Sequence, residues 1–257
     1  MRIIVDVAHP ANVHYFKNFI FKMLDENHQV HITARDKDVS FALLKEMNLP
    51  FYNMGKGIIG KGFLGKILYV IYADFLMLKQ FLKFKPDIVL SFASSYAAHI
   101  CFLFRKPHIT FEDTEHAKAN MFLYKSFSDM IITPSSFYKD MGKNHFKIKA
   151  FMELFYLHKK RFVPNKGILK KIGIDVNKSF ILFRYVSWGA FHDIGETGIS
   201  DKDKLNLVET AKNFGNIYIS SEGDLPPELK KYQLKINPNS IHHVLYYASF
   251  YLGEGGT

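Results

Sequence analysis

The sequence predicts an α/β protein built from two units, each on a parallel sheet. Three observations carry this. Apolar, β-branched runs alternate with segments of helical spacing through the first half of the chain. The runs contain few polar residues, as in strands buried on both faces. After a basic stretch at 159–171 that holds Pro164 and Gly167, the alternation starts again. A boundary near residue 160 is expected, with one unit over 1–160 and a second over 161–257.

The elements follow in order. Residues 2–8 form the first strand. Residues 13–27 follow as a helix, because Val13, Phe16, Phe19, Ile20, Met23 and Leu24 share one face. A strand at 29–34, a helix at 36–47 and a short strand at 51–54 come next. A long helix over 63–84 stops at Pro86. Strands at 87–92, 108–111 and 130–133 and a helix at 96–105 complete the first unit. In the second, a strand at 180–185 precedes a helix at 202–214, with Gly215 as its expected C-terminal cap. A strand at 216–220, a helix at 241–247 and a strand at 250–252 finish the chain. Strands and helices spaced this way imply right-handed crossovers.

Composition bounds the rest. The chain of 257 residues is 48% hydrophobic and 23% charged, which is globular and large enough for a sizeable core. Cys101 is the single cysteine, so no internal disulfide exists, as suits a reducing cytoplasm. Residues 1–7 are too short for a signal peptide. The net charge of +10 leaves nucleic acid, an anionic membrane or small anions as partners. No zinc-finger spacing, aromatic–basic sheet signature or arginine-rich arm is present, so no nucleic acid is expected. Scattered lysines also serve solubility.

Residues 57–85, just after Lys56, combine Ile67, Ile71, Phe75 and Leu78 with Lys66, Lys79 and Lys83. Such a basic amphipathic helix can lie on an anionic membrane, peripheral to the inner face; a core helix with solvated lysines fits equally. Its charges exclude a bilayer span.

Candidate chemistry lies in the loops after the strands, where parallel sheets bind ligands. After the first strand, Asn12 fits a helix cap, and His9 and His14 flank a positive helix end. They are candidates to meet an anion or act as acid or base, or are plain surface histidines. Ser94 and Ser95 read as caps. Glu112, Asp113, Glu115 and His116 follow the strand at 108–111 within five positions. Crowded carboxylates repel, which raises the proton affinity of at least one. Acids dressing a helix N-terminus are the plainer alternative. Glu153 is a lone acid in an apolar run. In the second unit, Arg184 suits a bidentate phosphate contact, Trp188 a stacking base or sugar, and Ser187, Ser221 and Glu222 polar contacts. Of His242 and His243, adjacent on a helix and pointing in different directions, at most one is expected to face a ligand. The final run Gly253, Glu254, Gly255, Gly256, Thr257 matches a strand entering a phosphate-binding turn, or a glycine-rich tail. The second unit is expected to be incomplete, with an apolar sheet edge that favours self-association.

At these residues the sequence resembles domain-of-unknown-function family 354. That family is grouped with the GT-B-fold glycosyltransferases and the non-hydrolysing UDP-N-acetylglucosamine 2-epimerases. The matching segments are 9–18, 32–36, 111–117, 186–188, 219–223 and 242–249. The resemblance implies two Rossmann-like domains facing across a cleft, the first for an acceptor and the second for a nucleotide-sugar, UDP-linked by preference. It makes the glycine-rich run at 253–257 similar to the loop that receives the donor diphosphate. It implies transfer of a sugar to a cell-surface polysaccharide or lipid-linked acceptor. Glu112, Glu115 and His14, with His116 beside them, would supply acid–base chemistry, while Arg184 and the glycine-rich loop would stabilise departing charge. Neither metal nor cofactor is expected. Epimerisation or hydrolysis of a nucleotide-sugar, or binding as a non-catalytic subunit, are the alternatives.

Overall fold

The computed structural model describes residues 1–56, 62–186 and 198–254, apart from the side chains of 62–64 and 66. The chain divides into two compact units, Met1–Phe162 and Val163–Thr257.

The first unit is a seven-stranded parallel sheet with helices on both faces. Its strands are β1 Arg2–Val7, β2 Gln29–Ala34, β3 Phe51–Asn53, β4 Ile88–Phe92, β5 His108–Phe111, β6 Met130–Pro134 and β7 His145–Ile148. They lie in the order β3-β2-β1-β4-β5-β6-β7. The chain winds outward from β1 to β3, then crosses back to place β4 on the other side of β1. The crevice beyond the carboxyl ends of β1 and β4 is therefore the switch point where such sheets bind ligands.

Helices α1 Pro10–Asp25 and α2 Ser40–Glu46 cover one face through Val13, Phe16, Ile20, Leu43 and Leu44. Helices α3 Gly62–Phe84 and α4 Ser95–Phe104 cover the other. Tyr69, Ala73, Met77 and Phe81 recur every fourth residue along α3 and are all buried, the spacing that keeps one helix face on the sheet. Burying each large side chain contributes roughly 1.5–3 kcal/mol. The outward face of α3 and its neighbours stays apolar: Ile71 and Phe75, Phe102 and Leu103 on α4, and Phe122 on the short helix α5 Lys118–Tyr124 are exposed.

One histidine joins these three helices. His99 Nδ1 meets the Asp74 carboxylate at 3.0 Å, and Nε2 donates to the Leu123 carbonyl at 2.8 Å. With an acceptor on each ring nitrogen, the doubly protonated form is favoured. The Asp74 hydrogen bond accordingly raises its pKa. His108 is the opposite case. Buried between Ser91 and Ser128 hydroxyls at 2.9 and 3.0 Å, it stays neutral, its pKa lowered to about 3 by desolvation.

Two local expectations change. α1 begins at Pro10 rather than residue 13, and its cap is His9, whose Nδ1 accepts from the Ala11 amide. Asn12 is instead buried, its Oδ1 accepting from the Ala8 amide at 3.1 Å. Proline suits the first helical position because its missing N–H would lack a partner there. Ser94 does cap α4, accepting from the Ala97 amide.

The second unit holds a three-stranded parallel sheet in the order β10-β8-β9, from β8 Phe180–Tyr185, β9 Asn216–Ser221 and β10 Phe250–Gly253. After α6 Leu154–Leu157, which closes the first unit, come α7 Lys166–Lys171, α8 Asp201–Ala211 and α9 Ile241–Tyr247. Gly215 does not cap α8, which ends at Ala211 with Lys212 in a right-handed conformation. A Cβ at position 215 would sit 2.6 Å from the Ser179 carbonyl oxygen, so close backbone approach demands the glycine there.

Candidate functional site

In the first unit, polar side chains gather where β1, β4 and β5 end. Glu112 directly follows β5 and is 1% exposed. Its Oε1 accepts from the Asp113 and Thr114 amides at 3.1 and 2.9 Å, and its Oε2 from the Tyr124 hydroxyl at 2.6 Å. Burial raises its pKa despite these donors. The carboxylate folds the post-strand turn back on itself and ties it to α5. That helix carries no acid in its first turn, so these carboxylates are not there to meet its dipole.

Asp113 turns the other way. Desolvation raises its pKa, the Thr114 hydroxyl at 2.9 Å opposes that, and the nearby Glu153 carboxylate adds to it. Asp113 and Glu153 also both act on Tyr15, whose hydroxyl burial pushes well above its ordinary range. His14 is buried, with its ring stacked on Tyr156 at 5.2 Å. The Tyr156 pKa is pushed up to about 12 by burial and by Glu153. The segment at 151–157 thus brings an acid and an aromatic ring to the edge reached by α1 and β5.

The remaining candidates lie apart. Glu115 faces the turn at Phe137, its Oε1 accepting from the Tyr138 amide and its carbonyl from Lys139 Nζ. His116 is exposed. The sequence signal for Asp113 was its place among crowded acids; nothing in the sequence pointed to Tyr15 or Tyr156.

In the second unit, Arg184 near the end of β8 donates from Nη1 to the Ser220 hydroxyl at 3.1 Å and from Nη2 to Glu222 Oε1 at 2.5 Å. The Ser221 hydroxyl closes its own turn onto the Gly223 carbonyl at 2.8 Å. Gly253 pairs in register with Arg184 across β10 and β8. Glu254, to which the glycine-rich run gave no role of its own, accepts from the Val186 amide at 2.8 Å and the Ile199 amide at 2.7 Å. One carboxylate therefore joins the end of β10 to the chain just after β8 and to the approach to α8. His242 lies half-buried in the first turn of α9, and its neighbour His243 accepts from the Asn165 amide. Ser187, Trp188, Gly255, Gly256 and Thr257 lie outside the described residues. Among the described residues, no group of His, Cys, Asp and Glu is placed to hold a metal ion, and no helix is long and apolar enough to cross a membrane.

Residues 1–220 match the family model described as "Protein of unknown function (DUF354)". The chain belongs to that family. No curated protein matches the sequence. Solved structures resemble this DUF354 member over nearly its whole length. The UDP-GlcNAc 2-epimerase of Methanocaldococcus jannaschii is 14% identical, with a TM-score of 0.65 over 99% of this chain and 79% of its own. The Neisseria meningitidis UDP-GlcNAc 2-epimerase, solved with UDP-GlcNAc bound, is 16% identical, with a TM-score of 0.65 over 100% of this chain and 78% of its own. The spinosyn rhamnosyltransferase SpnG, in complex with spinosyn aglycone, is 12% identical, with a TM-score of 0.58 over 100% of this chain and 76% of its own. Likeness at this identity is a likeness of fold, and the fold is GT-B-like.

Proposed function

We propose that this DUF354 protein is a glycosyltransferase that moves a sugar from a nucleotide-sugar, UDP-linked by preference, to a hydroxyl of a polysaccharide or lipid-linked acceptor. The observation that carries the reading is placement. In both units the chemically capable side chains stand at the carboxyl ends of parallel strands, acids in the first and an arginine in the second. Structural relatives that handle UDP-GlcNAc or glycosylate an aglycone add support.

In this mechanism the first unit takes the acceptor. Asp113, whose pKa burial and Glu153 both raise, removes the acceptor hydroxyl proton. Glu112 anchors the turn that carries this base and His14 packs on Tyr156, whereas Glu115 and His116 lie apart from it. The acceptor oxygen bonds to the anomeric carbon as the carbon–oxygen bond to the diphosphate breaks, and the nucleoside diphosphate leaves with that electron pair. Arg184, oriented by Glu222 and Ser220, would meet the developing charge, with the glycine-rich run 253–257 as a second candidate for it. Ser187, Trp188, Ser221 and His242 would complete the nucleotide contacts. The Asp113–Glu153 pair also suits an epimerase, which must abstract and return a proton on one sugar carbon.

Calorimetric titration with UDP, UDP-GlcNAc and GDP-sugars tests the common premise. Failure of all of them to bind would sink it. Release of UDP only when an acceptor is present supports transfer, and turnover of the nucleotide-sugar alone supports epimerisation. Binding without either favours a non-catalytic subunit.

The exposed apolar face of α3, α4 and α5 is interspersed with Lys79, Lys83, Arg105, Lys106 and Lys118. It is proposed to rest on the anionic inner face of a membrane. Co-sedimentation with vesicles containing anionic lipid should fall on Phe75→Ser. No partitioning at low salt would rule the contact out.

A further inference from the structure

Beyond the acids of β5, one cation at the same sheet edge has no role in the reaction above. Arg35 directly follows β2, beside β1. Its guanidinium lies over the Tyr69 ring at 4.5 Å and nearer the edge of contact with Tyr96, at 5.7 Å. These rings come from α3 and α4, the helices packed against that side of the sheet. Ring packing occupies the faces of a guanidinium and leaves its in-plane donors to be met by something else. Among the described residues, no carboxylate comes within ion-pairing distance of Arg35, and its buried Nε makes no hydrogen bond. Asp6, whose charge acts on Arg35, is itself fully buried and accepts from the Thr33 hydroxyl at 2.7 Å. Burial raises its pKa and the Arg35 charge opposes that, while Tyr96, Tyr69 and Asp6 in turn favour the charged guanidinium.

A second cation stands beside the first. The Lys37 amide donates to the Arg35 carbonyl at 2.9 Å, a tight turn that keeps the two residues together. Desolvation lowers the Lys37 pKa; Asp38 opposes that, and the Arg35 charge adds to it. Two cations near enough to repel, at a strand end, with no contacting carboxylate among the described residues, are poised for an oxyanion.

We infer that Arg35 and Lys37 form a binding site for the phosphate group of a phosphorylated acceptor. The planar fork of Arg35 would take two phosphate oxygens and Lys37 would supply a point charge from the open side. Arg35 remains partly accessible and Lys37 is exposed, so a ligand reaches both. The identity of the phosphate's bearer rests on the acceptor-side reading of this unit, whereas binding of the anion does not.

The test is a titration of isotope-labelled protein with inorganic phosphate, with a sugar 1-phosphate, and with chloride at matched ionic strength, following the Arg35 Nε–H signal. Both phosphates should shift the signal and chloride should not. Arg35→Gln should weaken phosphate binding by about tenfold or more, as expected for loss of charge-assisted hydrogen bonds. Arg35→Lys, which keeps the charge and loses the fork, should fall between the two, and Lys37→Ala should weaken binding by about threefold. Tighter binding of the sugar phosphate than of inorganic phosphate supports a phosphorylated acceptor. Equal affinity would overturn that part and leave a free-phosphate site. No shift, or an unchanged affinity in both Arg35 variants with native circular dichroism, would overturn the site altogether. None of these readouts needs turnover, so an inactive protein that binds phosphate here would refute the transferase reading alone.

Discussion

Asp113→Asn should lower the rate of sugar transfer by about 10²–10⁴-fold, the range for removing a general base. Nucleotide affinity should stay unchanged, since Asp113 belongs to the first unit and Arg184 to the second. The amide is nearly isosteric and can still accept from the Thr114 hydroxyl, so the turn should hold. A pH profile separates a base from a structural residue. Burial and the Glu153 charge both raise the Asp113 pKa, so the acidic limb of kcat/KM should lie above the ordinary carboxylate range. Glu153→Gln removes the like charge and should move that limb to lower pH. Full turnover by Asp113→Asn would exclude Asp113 as the base.

Glu112→Ala should destabilise the first unit by about 3 kcal/mol. The substitution leaves the Tyr124 hydroxyl and the Asp113 and Thr114 amides without their acceptor, in a place where the carboxyl is nearly inaccessible. Glu112→Gln should cost less, because an amide oxygen can still accept from the two backbone groups. The pH dependence has a definite sign. The Glu112 pKa is raised in the folded protein, so the fold binds its proton more tightly than the unfolded chain does. Wild-type stability should then fall as pH rises from the ordinary carboxylate value through the raised one. The glutamine variant lacks this loss, and its deficit should shrink over the same interval. Thermal unfolding of both variants across that range is the check. An unchanged midpoint for Glu112→Ala would show that the turn does not depend on this carboxylate.

The parallel sheets were legible because their strands are unbroken apolar runs and their long helices keep a strict face. The short elements were not. α5 buries only Met121 and Tyr124, and its N-cap residue, Ala117, makes no side-chain cap, so it leaves little periodic trace. α6 has four residues and α7 six, too few to show a helical period. β7 reads as polar because it is an edge strand with Phe146 and Lys147 exposed. At the N-terminus of α1 two signals competed, and the proline outweighed the asparagine. The acid run after β5 could be read from its position alone. Its division of labour could not, because whether a carboxylate anchors a turn or faces a neighbouring acid depends on Tyr124 and Glu153, distant in sequence. Arg35 and Glu254 lay in segments the sequence marked, but their own roles were not legible because their partners come from other elements.

The imidazole at the junction of α3, α4 and α5, whose protonation Asp74 favours, would respond to an anionic surface. An anionic surface enriches hydrogen ions in the water layer next to it, so the local acidity there exceeds that of the bulk. The protonation that lets His99 hold Asp74 and the Leu123 carbonyl together would be reinforced on such a surface. On such a surface, the helices that present the exposed rings would be fastened more firmly than in bulk solution.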